Sequence, residues 1–191
     1  MPAFDLRHIY VAEYTNTNGV ITYGTAQSAG DAMTANLELR FAEGRLYAES
    51  TLAEYIRKAL GGTISLGVKY IPDAAQKLLF GRTDKSRTVG SATVTSLLTT
   101  AKDKPKAVGV AFYAPDMVDG VEKYTCVFAS RALFGPPSMT YQTLNESITF
   151  QTPTTTGEFM ADHSTAQNLF EVAVVDTEEE AIAWCAAVFG A

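Results

Sequence analysis

The chain has little of what catalytic, metal-binding and nucleic-acid-binding sites are built from. Among 191 residues there are two histidines, two cysteines and one tryptophan. His8 and His163 stand far apart, so a shared metal or catalytic pair is not expected. Cys126 and Cys185 sit singly in apolar surroundings without metal-ligand spacing, which favours two buried thiols over a disulfide. There is no G-x-S-x-G elbow, no P-loop and no dinucleotide fingerprint. Charged residues are 19% of the chain, below the usual figure of about 25%. Lys and Arg are nowhere dense: the nearest approach is Lys102-Asp103-Lys104-Pro105-Lys106, diluted by an acid and a proline. With a formal net charge of −6, phosphate-neutralising binding of nucleic acid is not expected. No apolar run approaches the roughly 18 residues of a membrane helix, so no membrane anchor is expected. Asp5, Arg7 and His8 interrupt any apolar stretch at the start, which argues against a signal peptide and for a protein made in a cytoplasm.

Some short motifs invite a chemical reading, and each has a plainer one. Gly61-Gly62 marks a bulge or a break between elements rather than a phosphate cradle. Asp116-Met117-Val118-Asp119-Gly120 lacks the alternating ligands and the closing Glu of a calcium loop, and reads as a hairpin turn. Glu178-Glu179-Glu180 begins a helix, where negative charge is favoured. Asn145-Glu146-Ser147 fits a glycosylation sequon that a cytoplasmic chain would not use. The expectation is therefore no catalytic residue, no metal and no cofactor.

What is abundant is two-residue alternation, the mark of half-buried strands. Strands are expected over His8–Tyr14, Val20–Tyr23, Leu46–Ala48, Ala107–Tyr113, Lys123–Leu133, Ser147–Thr152 and Gly157–Ala161. Over Met33–Phe41, residues Met33, Ala35, Leu37, Leu39 and Phe41 share one face, and Asn36, Glu38 and Arg40 share the other. Asn16-Thr17-Asn18-Gly19 and Glu43-Gly44 carry turn chemistry. Two helices interrupt the pattern. One starts at Pro72-Asp73 and stops at Gly81, with Ala75, Leu78 and Leu79 as an apolar stripe. The other runs over about 177–189, with Thr177 and Glu180 at capping-box spacing, and with Ile182, Cys185, Ala186 and Phe189 on one face. Residues 51–61 are rich in helix formers, so propensity and sheet context conflict there. The Thr/Ser/Lys-rich stretch Arg82–Lys104 is a long connection or a projecting hairpin, within which Thr93–Leu97 can form a strand.

One segment is more specific than this. Tyr141-Gln142-Thr143-Leu144-Asn145-Glu146-Ser147-Ile148-Thr149-Phe150-Gln151-Thr152-Pro153-Thr154, followed by Gly157, resembles the signature of the major tail protein family of siphophages. In that pattern Ile148 and Phe150 point into the core while Ser147, Thr149 and Gln151 point away, and Pro153 stops further pairing. The resemblance extends in order along nearly the whole chain. Leu6–Ala12 is similar to the family's opening strand, Leu46-Tyr47-Ala48-Glu49-Ser50 to an internal element, and Ile71–Gly81 to a short helix after a long strand. Val108–Phe112 and Tyr124–Phe134 resemble the hairpin before the signature, and Ala181–Cys185 the closing helix, although Cys185 takes a place often held by an aromatic residue.

The resemblance implies one tail-tube domain over 1–191, mainly β with α. It would be a β-sandwich or small barrel with a flanking helix, a C-terminal helix, a long loop at about 82–105 and a C-terminal strand-helix extension over about 162–191. It also implies that residues 51–61 belong to a long bent strand. Six copies would close into a ring and the rings would stack into the tail tube of a virion, assembled in the host cytoplasm. The implied partners are the chain itself, a tape-measure protein and the tail completion and baseplate proteins, with viral DNA passing through unbound. Glu38 and Arg40 are the candidate lumen-facing residues. Lys85, Arg87, Thr93 and Thr95 are the candidates for contact between rings. A tube subunit of a phage-like secretion or gene-transfer particle, or a solitary β-sandwich binding module, are the alternatives.

Overall fold

The computed structural model describes residues 3–143, 150 and 152–190. It is mainly β with two helices, as the alternation and the two capping patterns require. The strands are β1 (Arg7–Thr17), β2 (Val20–Tyr23), β3 (Gln27–Ser28), β4 (Ala32–Ala48) and β5 (Thr51–Val68). After helix α1 (Asp73–Phe80) follow β6 (Thr83–Val89), β7 (Ala92–Leu98), β8 (Val108–Val118) and β9 (Val121–Phe134). The chain ends with β10 (Thr154–Phe159), β11 (Phe170–Val175) and helix α2 (Glu178–Ala187).

A nine-stranded sheet runs in the order β2-β1-β8-β9-β10-β5-β4, with β3 added to β1 and β11 added to β9. It curls without closing into a barrel. Its inner face brings Ile9 and Val11 of β1, Ile64, Leu66 and Val68 of β5, and Val108 and Val110 of β8 into one core, which α1 covers with Ala75, Leu78, Leu79 and Phe80. A second core forms where α2 lays Ala181, Cys185 and Phe189 on Ala12, Ala111, Tyr113 and Phe128. Ile182, expected on that buried face, is 42% exposed instead. The buried stripe is Ala181 and Cys185, with Phe189 just past the helix end.

Both helices are delimited by local chemistry. Gly81 ends α1 in the left-handed region at φ 70°, its N–H bonded to the Lys77 carbonyl. At α2, the Thr177 hydroxyl accepts from the Glu180 N–H while the Glu180 carboxylate accepts from the Thr177 N–H, a complete capping box.

The structure departs from the sequence pattern at several places. Glu43-Gly44 makes no turn: β4 runs on to Ala48, and the reversal falls at Glu49 and Ser50, with φ of 51° and 66°. Such a pair of positive φ values is what a two-residue hairpin turn needs. Residues 51–61 are strand, the long bent strand expected there, because pairing with β4, interrupted only by bulges at Leu60 and Ala53, outweighs their helix propensity. Met33 leaves the core face and is 52% exposed, since a bulge between Ala32 and Thr34 shifts the alternation. The stretch at 82–105 is not a long loop; most of it is the β6–β7 hairpin, separate from the main sheet. The strand expected over 147–152 lies almost wholly outside the described residues. Phe150, expected in the core, is 87% exposed.

Candidate assembly surfaces

The β4–β5 hairpin extends well beyond the sheet that supports it. β10 pairs with β5 only between Gly62 and Gly67, whereas β4 and β5 stay paired out to Ala48 and Thr51. Among the described residues the ribbon therefore projects alone from Phe41 to Ala48, by about 25 Å at ~3.3 Å per residue. Its base is a bulge at Leu60-Gly61-Gly62. Gly61 has φ 128°, and a Cβ there would strike the Phe159 carbonyl, while one on Gly62 would meet the Glu38 carbonyl and lie 2.6 Å from the Phe159 ring. The sequence reading of that Gly pair as an irregularity is what the register shift shows.

The two faces of the ribbon differ. On the face continuous with the core, the Arg57 guanidinium lies 3.7 Å from the centre of the Phe41 ring and 3.4 Å from Glu43, and Arg45 pairs with Glu43 at 3.5 Å. On the other face stand Leu46, Glu54, Ile56 and Lys58, and Lys58 has no ion-pair partner among the described residues. Leu46, Tyr47, Leu52, Ile56 and Leu60 are each more than half exposed. Among the described residues β4 pairs only with β5, so its outer edge has no partner there along all 17 residues.

Below the ribbon, the outer face of β4, β5 and β10 is polar. Rows across the strands read Thr34/Gly67/Thr154, Asn36/Ser65/Thr156 and Glu38/Thr63/Glu158. Glu38 accepts from Asn36 at 3.0 Å, Arg40 bridges to Glu158 at 2.9 Å, and Ser65 and Thr156 share a hydrogen bond of 3.1 Å. The two lumen candidates thus share one solvated face with Glu158, which sequence reasoning missed because strand adjacency across 118 residues leaves no local signal. Two acids and one base leave that face a single net negative charge.

The four candidates on the β6–β7 hairpin divide between its faces. Lys85 and Arg87 lie on one, opposite Ser96 and Val94; Thr93 and Thr95 lie on the other, opposite Thr88 and Ser86. All are exposed. Lys77 of α1 holds the base of the hairpin through Asp84 at 2.7 Å.

Elsewhere polar side chains tie elements of the fold to one another. Among the described residues no group of His, Cys, Asp and Glu has metal-binding geometry. His8 stacks on Tyr10 and lies against Tyr113, while His163 packs on Tyr14. For His163 Nε2 to accept from Arg131 at 3.2 Å, Nδ1 must carry the proton and donate to the Tyr14 hydroxyl at 3.0 Å. Asp162 is buried, which alone would raise its pKa. Hydrogen bonds from Ser164 and Asn168 outweigh that and hold it below the usual range. Arg7 and then Tyr113 donate to Glu178, lower its pKa and tie β1 and β8 to the start of α2. Cys126 and Cys185 are free, buried thiols, and the Cys126 sulfur together with burial pushes the Cys185 thiol up.

No protein-family model matches the chain, and no curated protein sequence matches it significantly. Its shape and surfaces have to carry the functional argument.

Proposed function

We propose that this chain is a structural tube subunit of the phage-tail kind, which closes into rings of six and stacks them into a conduit for viral DNA. The observation that carries this reading is the unsupported β4–β5 ribbon. An isolated two-stranded hairpin is marginal in water, and this one also exposes a row of large apolar side chains. An edge of 17 residues without a partner among the described residues is an open template for another strand. Such features suit a chain that completes its sheet with further copies of itself. A head-to-tail contact of this kind makes rings where the rotation closes and filaments where it does not.

The polar face around Glu38, Arg40 and Glu158 suits the wall of a DNA channel. Hydroxyls and amides bearing a slight negative charge offer phosphate no site at which to stop, whereas a basic wall would hold it at every ring. On this reading the partners are further copies of the chain, a tape-measure protein and the completion and baseplate proteins of a tail. The chain itself performs no catalysis. Negative-stain microscopy of the purified protein over a range of concentrations is the test. Rings or tubes with a central channel are expected; persistent monomers at every concentration and salt would return the chain to the class of solitary β-sandwich binding modules.

A further inference from the structure

The chain's charge is divided unevenly. Residues 77–106 hold seven of the 15 Lys and Arg and only two of the 21 Asp and Glu, a net +5. The remaining eight bases and 19 acids leave the rest of the chain at −11. Within the basic stretch Lys77 pairs with Asp84, and Lys106 with Glu13. Lys85, Arg87, Lys102 and Lys104 are exposed and have no ion-pair partner among the described residues. Residues 83–96 are all exposed, so the β6–β7 hairpin stands clear of the body. Its Lys85/Arg87 face also carries Val89 and Val94, 61% and 47% exposed, while Asp84 lies on the other face. A two-stranded hairpin without cover is marginal by itself, and this one has a basic, partly apolar face to bury.

The opposite charge lies at the other end of β8. That strand begins at Val108, beside the Lys106–Glu13 pair, and ends at Val118, about 33 Å away at ~3.3 Å per residue. Asp119 lies in the β8–β9 turn and Glu122 just after it. Arg7 and Tyr113 hold Glu178 and Lys123 holds Asp176, which brings the start of α2, with Glu179 and Glu180, to the same end. Arg7 also pairs with Asp5, so the bases here are already committed. Leaving aside buried Asp116, seven acids meet two bases, a net −5. A free amino terminus ahead of Ala3, which bridges Asp116, would cancel only one of these charges. Glu122 shares its face of the sheet with Met117, its register partner, which is 45% exposed. An exposed apolar side chain among acids thus matches exposed valines among bases. We propose that the Lys85/Arg87/Val94 face of the hairpin in one copy docks on the Met117/Glu122/Glu179 end of the next. The two surfaces sit at opposite ends of one chain, so the contact is head to tail and repeats along an axis. Like charges meet in the reversed arrangement and disfavour it. This rests on the tube reading above and names the surface that receives the hairpin.

Charge exchange between full-length chains tests it. One variant carries Lys85→Glu with Arg87→Glu, and a second carries Glu122→Lys with Glu179→Lys. All four positions are exposed, and thermal circular dichroism checks that each variant melts as the parent does. Either variant alone brings like charges together, and its mean tube length by negative-stain microscopy should fall roughly tenfold or more. An equal mixture sets every reversed hairpin against a reversed end, and long tubes should return. Tubes of the unmodified chain should also shorten as salt rises from about 0.05 M to about 0.5 M and the screening length contracts. That series decides the matter even where a variant unfolds. Long tubes from either variant alone, a mixture as short as its parts, or a length indifferent to salt would overturn the pairing and leave the tube reading standing. Absence of rings and tubes from the unmodified chain would overturn both.

Discussion

Ile56 and Ile64 lie on the same strand and separate assembly from folding. Ile56 is 67% exposed on the ribbon, and Ile64, flanked by β10 and β4 in the sheet, is fully buried in the core. Full burial of an isoleucine side chain is worth about 1.5–3 kcal/mol, so roughly two thirds of that, about 1–2 kcal/mol, is still available to Ile56 in a contact between copies. Threonine keeps β-branching, so Ile56→Thr leaves strand propensity nearly unchanged. The substitution should raise the concentration at which the chain assembles by about 5–30-fold while leaving the melting temperature of the monomer nearly unaltered. Ile64→Thr removes core contacts and buries a hydroxyl, at a cost of about 2–4 kcal/mol. That lowers the melting temperature by roughly 5–15 °C for a chain of this size. Light scattering against concentration reports the first quantity, and thermal circular dichroism of dilute protein the second. An unchanged assembly threshold for Ile56→Thr would show that the exposed ribbon face is not an interface.

Further consequences follow from other parts of the structure. Replacing the β6–β7 hairpin between Asp84 and Leu97 by a short turn should leave the fold intact, because its strands are exposed and separate from the main sheet. Microscopy should then show rings that fail to stack; long tubes of normal appearance would assign ring-to-ring contact elsewhere. Gly62→Ala should destabilise the chain by several kcal/mol, since its Cβ meets the Glu38 carbonyl and the Phe159 ring. Gly44→Ala, with nothing near its Cβ, should lie within about 0.5 kcal/mol of the parent by denaturant titration. Both thiols should resist alkylation in the native protein and react promptly in denaturant; fast native labelling would contradict their burial. Glu178 and Asp162 have lowered pKa values in the fold. Their stabilisation is therefore present above the ordinary carboxylate range of about pH 4 and is lost as pH falls through the lower folded values. Melting temperature against pH should show a shallower acid limb in Glu178→Gln.

What the residues determine locally was legible in the sequence. Pro72 and Gly81 bound α1, and Thr177 with Glu180 starts α2, because a cap is satisfied within one turn of chain. The alternation of Asn36, Glu38 and Arg40 against Ala35 and Leu37 already separated a wet face from a buried one. What it could not contain was length and adjacency. That β4 and β5 outrun β10, and so leave Leu46, Ile56 and Lys58 without cover, depends on where a strand about 100 residues later stops pairing. The same holds for Arg40 meeting Glu158. Local propensity even pointed the wrong way at residues 51–61, where helix formers are held extended by nine paired positions with β4. Cross-strand hydrogen bonds are long-range in sequence, and only the tertiary structure decides which edges they fill and which they leave open.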